Sequence, residues 1–292
     1  KYKTFFSPAM FAMALDEFVL DAGVEILFDT QVVAPVMEQK QCVGLLVENK
    51  GGRGLYRARA VIDATGDADI FCRAGAPCVT GQNYMTYLAY RADMESAASA
   101  LSEKNIIHAR KWTLLGSGPR GNGHPEGVPL ISGTTAEDVT QYVLTGRKMM
   151  LDSMRNEDRF ARDLSILPTM AQFRTTRHIV GAYSVQESDL CRRLPDSIAA
   201  VADFLTAGEW YEIPYRALYS PEYPNLWTAG RTVSADGWAW VVVRVIPGSA
   251  CSGQAAGLAA ALCLKHGFTA ATLPYSMLSD ALIAEGGRMH AE

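Results

Sequence analysis

Apolar residues recur every three or four positions across residues 8–22, which is the spacing of an amphipathic helix. Gly23 follows this segment and is expected to end the helix in the left-handed conformation. Short apolar runs separated by turn residues then predict strands at 24–28, 31–37, 42–48, 54–57 and 60–63. Lys50-Gly51-Gly52 is expected to be a hairpin turn. The first 63 residues thus predict a helix, a small meander and a return strand.

Helical and strand-like patterns alternate along the rest of the chain. They predict a short helix at 70–74, a strand at 85–91, and a helix at about 136–156 with Thr135 near its N-cap. Residues 116–135 hold six glycines and three prolines, so we expect an irregular loop there. Beyond it we predict a strand-rich stretch at 170–183, a short buried strand at 225–229 and a last helix at 249–266. This alternation predicts an α/β fold.

Composition and charge exclude several classes of protein. The 292 residues are 49% hydrophobic and 20% charged with a net charge of −4, which is ordinary for a globular protein. No basic cluster indicates nucleic-acid binding, and no apolar run reaches the roughly 20 residues of a membrane span. The six cysteines form no CxxC pair and show no zinc-ligand spacing, so we expect no metal site and a reducing cytoplasm. The sequence leaves assembly into a homo-oligomer open.

Two predicted strands end in turns built from small residues. Residues 61–67 read VIDATGD, and residues 225–231 read NLWTAGR. A third small-residue segment, GQAAG at 253–257, is expected near the start of the last helix. Small residues let backbone amides approach a phosphate, and a helix N-terminus favours an anionic group. Each segment also has a purely structural interpretation: a tight turn for the first two, and helix–helix packing for the third.

Five segments in this order resemble the FAD-dependent oxidoreductases related to glutathione reductase and fumarate reductase. They read VIDATGDADIFCRAGAP, RTTRHIVGAY, EIPYRALY, NLWTAGR and GQAAGLAAAL. The resemblance implies FAD as cofactor and hydride transfer between a small organic substrate and flavin N5. It further implies an incomplete, three-layer Rossmann-like FAD-binding domain formed by residues 1–80 and 212–292. A mixed α/β substrate domain at 81–211 would be inserted into it.

The resemblance also assigns cofactor contacts by position. It implies that Val32 contacts adenine through its backbone and that four turn residues lie beside the adenosine and pyrophosphate: Ala64, Thr65, Gly66 and Asp67. Gly230 and Arg231, with Ala229, would follow the diphosphate and ribityl chain. The GQAAG segment would place the helix N-terminus at the flavin O2 and N1 edge through Gly253, Gln254, Ala255 and Ala256.

Cationic side chains are the candidates for the substrate side. Arg174 and Arg177 are three residues apart and His178 follows, so they could present two cations to a carboxylate and a proton donor beside it. Arg244 and Arg216 are further candidates to face the flavin. Structural ion pairs are an equal alternative for the arginines, and a buried, hydrogen-bonded histidine is the commoner role for His178.

The sequence departs from the family in one respect. Family members open with a strand, a GxGxxG turn and a helix, and no GxGxxG precedes a helix here. We therefore expect this chain alone to bind FAD weakly or not at all. A non-catalytic remnant or subunit that no longer binds FAD is the main alternative. A hydrolase ranks last, because no GxSxG elbow is present.

Overall fold

The structure is a computed structural model that describes residues 6–168 and 170–291. Its helices, in chain order, are α1 (Pro8–Asp21), α2 (Asp69–Arg73), α3 (Met94–Glu103), α4 (Ala136–Met154), α5 (Gly237–Val243), α6 (Ile246–His266) and α7 (Tyr275–Ala284). Its strands are β1 (Gln31–Glu38), β2 (Gln41–Asn49), β3 (Gly52–Arg57), β4 (Val61–Asp63), β5 (Cys78–Thr80), β6 (Thr86–Asp93), β7 (Lys111–Gly116), β8 (Arg162–Ile166), β9 (Arg177–Ile179), β10 (Ser197–Ala202), β11 (Trp210–Pro214) and β12 (Leu226–Thr228).

The chain divides into two compact units, each made of two segments. The first unit is Lys1–Phe28 with Gln82–Phe173, and the second is Asp29–Gly81 with Arg174–Glu292. The predicted boundary at 80/81 lies one residue from this division. The predicted boundary at 211/212 and the predicted grouping of residues 1–28 both differ from it. Residues 174–211 lie in the second unit because β9 pairs with β5 and β10 packs on α6. Which unit holds the cofactor and which the substrate stays a prediction.

The first unit contains an antiparallel sheet in the order β7-β6-β8 and the helix α4. Side chains from β6 and α4 form its buried cluster, which includes Tyr87, Tyr142 and Met150. Gly146 lets α4 approach β6, since a methyl group there would collide with the Tyr87 ring. The Thr135 hydroxyl accepts a hydrogen bond from a backbone N–H of the first turn of α4 (3.1 Å), so the predicted N-cap is confirmed.

The second unit contains the strand pair that positions the candidate site. The meander β1-β2-β3 is antiparallel, whereas β4 and β12 pair in parallel with Val61, Ile62 and Asp63 opposite Leu226, Trp227 and Thr228. One buried cluster lies between the meander, β4 and α2. A larger one joins β10 and β11 to α5, α6 and α7. Burial of this apolar surface is the main stabilising term of the unit.

The helices α5 and α6 meet at a sharp bend of 80°. Gly248 in the first turn of α6 makes this bend possible, because a methyl group on it would collide with the backbone carbonyl of Val243. Within the described part of the chain no single helix has the length and apolar composition of a membrane span. The α5–α6 pair meets both criteria only when its two helices are taken together across the bend.

Some of the predicted helices and strands are present in the structure, and others are not. The α/β class, α1, the meander hairpin, β4, α4 and β12 are confirmed. The predicted strand at 24–28 is wrong, and the stretch 170–183 holds β9 as its one strand among the described residues. The helix predicted at 249–266 begins three residues earlier, and α7 follows it, so it is not the last helix. The three-layer, Rossmann-like arrangement stays a prediction.

Candidate functional site

The two predicted small-residue turns lie side by side. Since β4 and β12 run in parallel and in register, both turns leave the same edge of the strand pair. The backbone N–H of Ala229 donates to the Asp63 carbonyl (3.2 Å), and the Thr228 hydroxyl donates to the same carbonyl (3.1 Å). Ligands of open α/β sheets bind at this carboxyl edge, so the candidate site is placed there.

The carboxylate of Asp63 fixes the conformation of the first turn through hydrogen bonds. It is fully buried, and its Oδ1 accepts hydrogen bonds from the Thr65 backbone N–H (3.1 Å) and hydroxyl (2.7 Å). Its Oδ2 accepts from the backbone N–H groups of Ile70 (2.9 Å) and Phe71 (3.1 Å) at the start of α2. Asp63 is not among the predicted site residues, although an acidic residue directly after two apolar strand residues is a signal that the sequence contains.

Two backbone donors of this turn have no acceptor among the described residues. Gly66 has φ +84°, a conformation that favours glycine, and neither its N–H nor that of Asp67 finds an acceptor within the described residues. The side chains of Ala64 and Thr65 are exposed. Adjacent free N–H groups in a turn of this kind form a concavity that suits an anion such as a phosphate.

An arginine from the second turn covers Gly66. A methyl group on Gly66 would lie 2.7 Å from the guanidinium carbon of Arg231, and Arg231 pairs with Asp67 at 3.1 Å. The Nε atom of Arg231 is buried without a hydrogen-bond partner among the described residues. The two turns are therefore linked by an ion pair, and a guanidinium lies beside the free N–H groups.

The backbone N–H of Gly230, which is predicted to contact FAD, already makes a hydrogen bond within the protein. Gly230 has φ +81°, and its N–H donates to the Ser252 hydroxyl at 2.9 Å. Similarly, the carbonyl of Val32 accepts a hydrogen bond from Arg73 at 3.2 Å. At the second turn the available group is the Arg231 side chain and not the Gly230 amide. The predicted contacts of Val32 and Gly230 with FAD stay predictions.

The GQAAG segment does not lie at a helix N-terminus, and this part of the sequence prediction is wrong. The helix α6 begins at Ile246, and Pro247 is tolerated there because it lies in the first helical turn. Gly253 therefore lies seven residues inside the helix. Ala255 and Ala256 are buried in the core, whereas Gln254 is exposed. A methyl group on Gly253 would meet nothing within 4 Å. The segment offers an open, small-residue helix face, and its contact with FAD stays a prediction.

Arg177 forms a structural ion pair. Its guanidinium pairs with Asp69, and it donates to the Asp67 carbonyl (2.9 Å) and to the Cys72 sulfur (3.1 Å). These contacts tie β9 to the first turn and to α2. Arg216 likewise makes a bidentate ion pair with Asp196 (3.0 and 2.9 Å), so it too has a structural partner.

His178 is buried beside an aromatic ring. It is 2% exposed, its Nδ1 lies 2.8 Å from the Ile179 carbonyl, and its ring meets that of Trp240 edge-on at 4.5 Å between centroids. Burial lowers the pKa of His178, while the hydrogen bond to the Ile179 carbonyl and the charge of the Asp236 carboxylate oppose this effect. A neutral interior histidine therefore fits these contacts, and a catalytic role stays a prediction.

Arg244 has an environment unlike that of the paired arginines. It lies at the bend between α5 and α6, and burial together with the charges of Arg174 and Arg231 lowers its pKa to about 10. In the sequence, Arg174 and Arg244 are separate candidates for the substrate side. The structure brings them, with Arg231, close enough to interact electrostatically.

A cavity lies at the opposite end of the same strand pair. It has a volume of about 290 Å³, and its lining includes Arg59, Ala60, Asn225 and Phe268. These residues surround the amino-terminal ends of β4 and β12, away from the two turns. We keep the candidate site at the carboxyl edge, where the free amides and the guanidinium lie.

Two small-residue turns at one edge of a parallel strand pair are typical of proteins that bind a dinucleotide. Consistent with this geometry, the model of the FAD-dependent oxidoreductase family matches residues 1–99 and 103–282. The chain belongs to this family, and FAD is the cofactor that the family uses. No curated protein and no solved structure matches the chain.

Proposed function

We propose that the protein is an FAD-dependent oxidoreductase that transfers a hydride between a small organic substrate and flavin N5. The observation that carries this proposal is the edge shared by β4 and β12. There the unused N–H groups of Gly66 and Asp67 lie beside the Arg231 guanidinium, which suits a pyrophosphate in chemistry and in charge. When bound, FAD supplies the hydride acceptor or donor.

The residues of this chain would hold and orient the cofactor. The free amides of the first turn would donate hydrogen bonds to phosphate oxygens, and Arg231 would add a charge-assisted bond beside them. The Asp67 carboxylate now paired with Arg231 would then be available for a sugar hydroxyl. The open face of α6 at Gly253 and Gly257 would admit a flat ring, because neither glycine has a side chain and a methyl group on either would meet nothing within 4 Å.

Titration of FAD with the full chain tests this proposal, with quenching of flavin fluorescence as the readout. We expect an R231Q variant to bind FAD at least about tenfold more weakly than the wild type, because it loses a charge-assisted bond to phosphate. R59Q is the matched control. It removes the same charge beside the cavity at the other end of β4 and is expected to leave the affinity unchanged.

The outcomes separate the proposal from its alternative. Equal affinity of R231Q and R59Q would contradict the placement of the site at the carboxyl edge. A wild-type chain that quenches no flavin at saturating concentration would agree with the expectation that this chain alone binds FAD weakly or not at all, and it would favour the alternative of a subunit that no longer binds FAD. Bound FAD whose oxidised absorbance band disappears on anaerobic addition of an organic substrate would support hydride transfer.

A further inference from the structure

Two cysteines lie at the two ends of the short connection between α2 and β5. Cys72 belongs to the last turn of α2, and Cys78 is the first residue of β5. Between them Gly75, with φ +80°, reverses the chain, and its N–H donates to the Cys72 carbonyl (3.1 Å). The N–H of Ala76 donates to the Phe71 carbonyl (3.0 Å). This turn brings the start of β5 back toward the end of α2.

Strand pairing fixes the side of β5 on which Cys78 lies. Cys78 is opposite Ile179 of β9, and two residues further on Thr80 is opposite Arg177. Opposed residues of an antiparallel pair, and residues two apart along a strand, point to the same face of the sheet, so these four side chains share one face. The buried Ile179 packs there in the same cluster as Phe71 of α2. The face that carries Cys78 is therefore the face that α2 covers.

The guanidinium of Arg177 reaches from this face to Cys72. It donates a hydrogen bond to the Cys72 sulfur (3.1 Å), and its other contacts are the Asp69 carboxylate and the Asp67 carbonyl. The Cys72 side chain also makes a hydrogen bond with the Cys78 thiol. Both cysteines are free and partly buried. Two free thiols are thus in contact, with a positive charge beside one of them.

The surroundings of the two sulfurs favour one order of reaction. Burial raises the pKa of Cys78 to about 12, the neighbouring Cys72 adds to this rise, and Arg177 opposes it only in part. Cys78 is therefore protonated at neutral pH and a poor first nucleophile. Cys72 has the Arg177 N–H at its sulfur, and a neighbouring guanidinium favours attack by a thiol on a disulfide. Cys72 is the sulfur expected to react first.

We propose that Cys72 and Cys78 form a reversible disulfide by exchange with a small disulfide such as oxidised glutathione. The Cys72 sulfur attacks the small disulfide, whose S–S bond breaks and releases the first small thiol. Cys78 then gives up its proton and attacks the Cys72 sulfur, and the mixed disulfide breaks to release the second small thiol. The cysteines lose two electrons, the small disulfide gains them, and both protons leave on the released thiols.

The cross-link would change how the segment after the first turn is held. In the dithiol form the Arg177 guanidinium joins the Cys72 sulfur to the Asp67 carbonyl. In the disulfide form a covalent bond joins α2 to β5, and α2 follows the first turn directly in the chain. The oxidation state of the pair therefore sets how firmly the end of α2 is held. This inference goes beyond the proposed function and does not rest on it.

The test equilibrates the reduced full chain with mixtures of reduced and oxidised glutathione. The remaining thiols are then alkylated in urea, and the chain is digested with trypsin without reductant for mass spectrometry. Trypsin cleaves after Arg73, which places Cys72 on peptide 60–73 and Cys78 on peptide 74–91. We expect these two peptides to appear linked, with two hydrogens fewer than their sum, and to separate again with excess dithiothreitol.

Comparison with the unfolded chain measures what the fold contributes. Two thiols that the fold holds in contact should form their disulfide with an equilibrium constant at least about tenfold larger than in concentrated urea. The yield of linked peptides should not depend on protein concentration, because the bond forms within one chain.

Three serine variants test the order of reaction. C78S should accumulate glutathione on Cys72, because the second exchange step is missing. C72S should leave Cys78 unmodified, because that buried thiol stays protonated. C191S is the matched control: it removes an exposed thiol, and the yield of linked peptides should stay unchanged.

Three results would overturn the inference. The first is glutathione on Cys191 of the wild type without any linked peptides. The second is an equilibrium constant for the disulfide that is no larger in the folded chain than in urea. The third is equal modification of C72S and C78S, which would contradict the order of reaction. FAD is absent from all of these samples, so their outcome and that of the FAD titration are independent.

Discussion

Replacement of Asp63 by asparagine tests whether the first turn is built as the structure indicates. Both carboxylate oxygens accept two hydrogen bonds, and three of the four donors are backbone N–H groups, which cannot turn away. Asparagine keeps one acceptor oxygen and turns the other into an NH₂ group. If the NH₂ group faces α2, it meets two backbone donors and both hydrogen bonds are lost. If it faces Thr65, the hydroxyl can turn and accept, so only the Thr65 backbone N–H loses its acceptor.

The magnitude follows from the burial of those donors. Asp63 and Phe71 are fully buried and Ile70 is 2% exposed, so water cannot replace the lost acceptor at α2. The amide NH₂ is therefore expected to face Thr65 and to leave one donor without a partner, so D63N should lose about 1–3 kcal/mol of folding free energy. Because domains are stable by about 5–15 kcal/mol, this is a large fraction of the total.

Urea unfolding followed by circular dichroism measures this loss as a shift of the transition midpoint. D67N is the matched control, since it makes the same chemical change four residues later in a carboxylate that is only partly buried and pairs with Arg231. We expect D67N to cost less than about 1 kcal/mol. A D63N protein as stable as D67N would refute the role given to Asp63.

Three further predictions concern α6, a thiol and a histidine. G253A should stabilise the protein by about 0.5–1 kcal/mol in thermal melts without ligand, because its methyl group meets open space, whereas G248A should destabilise it by collision with a backbone carbonyl. Burial raises the pKa of Cys78 to about 12, so iodoacetamide at pH 8 should alkylate it far more slowly than the exposed Cys191, and urea should abolish the difference. Burial lowers the pKa of His178, so the stability that its neutral form provides is lost as pH falls below about 6.5; melts from pH 7 to 5 should show a smaller loss for H178Q.

Sequence patterns predicted the elements whose signals are local. The helix α1 has a capping Ser7, Pro8 at its first position and Gly23 in the left-handed conformation after it, all visible in the sequence. The neighbouring positions of the two turns were also predictable, since each follows an apolar strand in the order the family requires. The strand predicted at 24–28 failed because apolar residues alone do not provide a pairing partner.

Contacts between distant segments account for most of the errors at the site. Arg177 forms an ion pair with Asp69, which lies 108 residues earlier in the chain, and nothing near Arg177 in the sequence indicates that pairing. The predicted start of α6 lies three residues too late, because Pro247 and Gly248 are unfavourable inside a helix and the sequence does not show that they belong to its first turn. Proline fits a first turn without penalty, and Gly248 serves the close contact at the bend.

Because the Arg231 side chain lies over Gly66, substitutions at these two positions are not expected to have independent effects on stability. Alanine at position 66 destabilises the folded protein whatever residue 231 is, because φ is +84° there. It collides with a guanidinium only when residue 231 is arginine. A double-mutant cycle between G66A and R231A should therefore show positive epistasis, with the alanine at 66 tolerated better once the arginine is gone. Homologues with a larger residue at the first position are expected to carry a shorter one at the second.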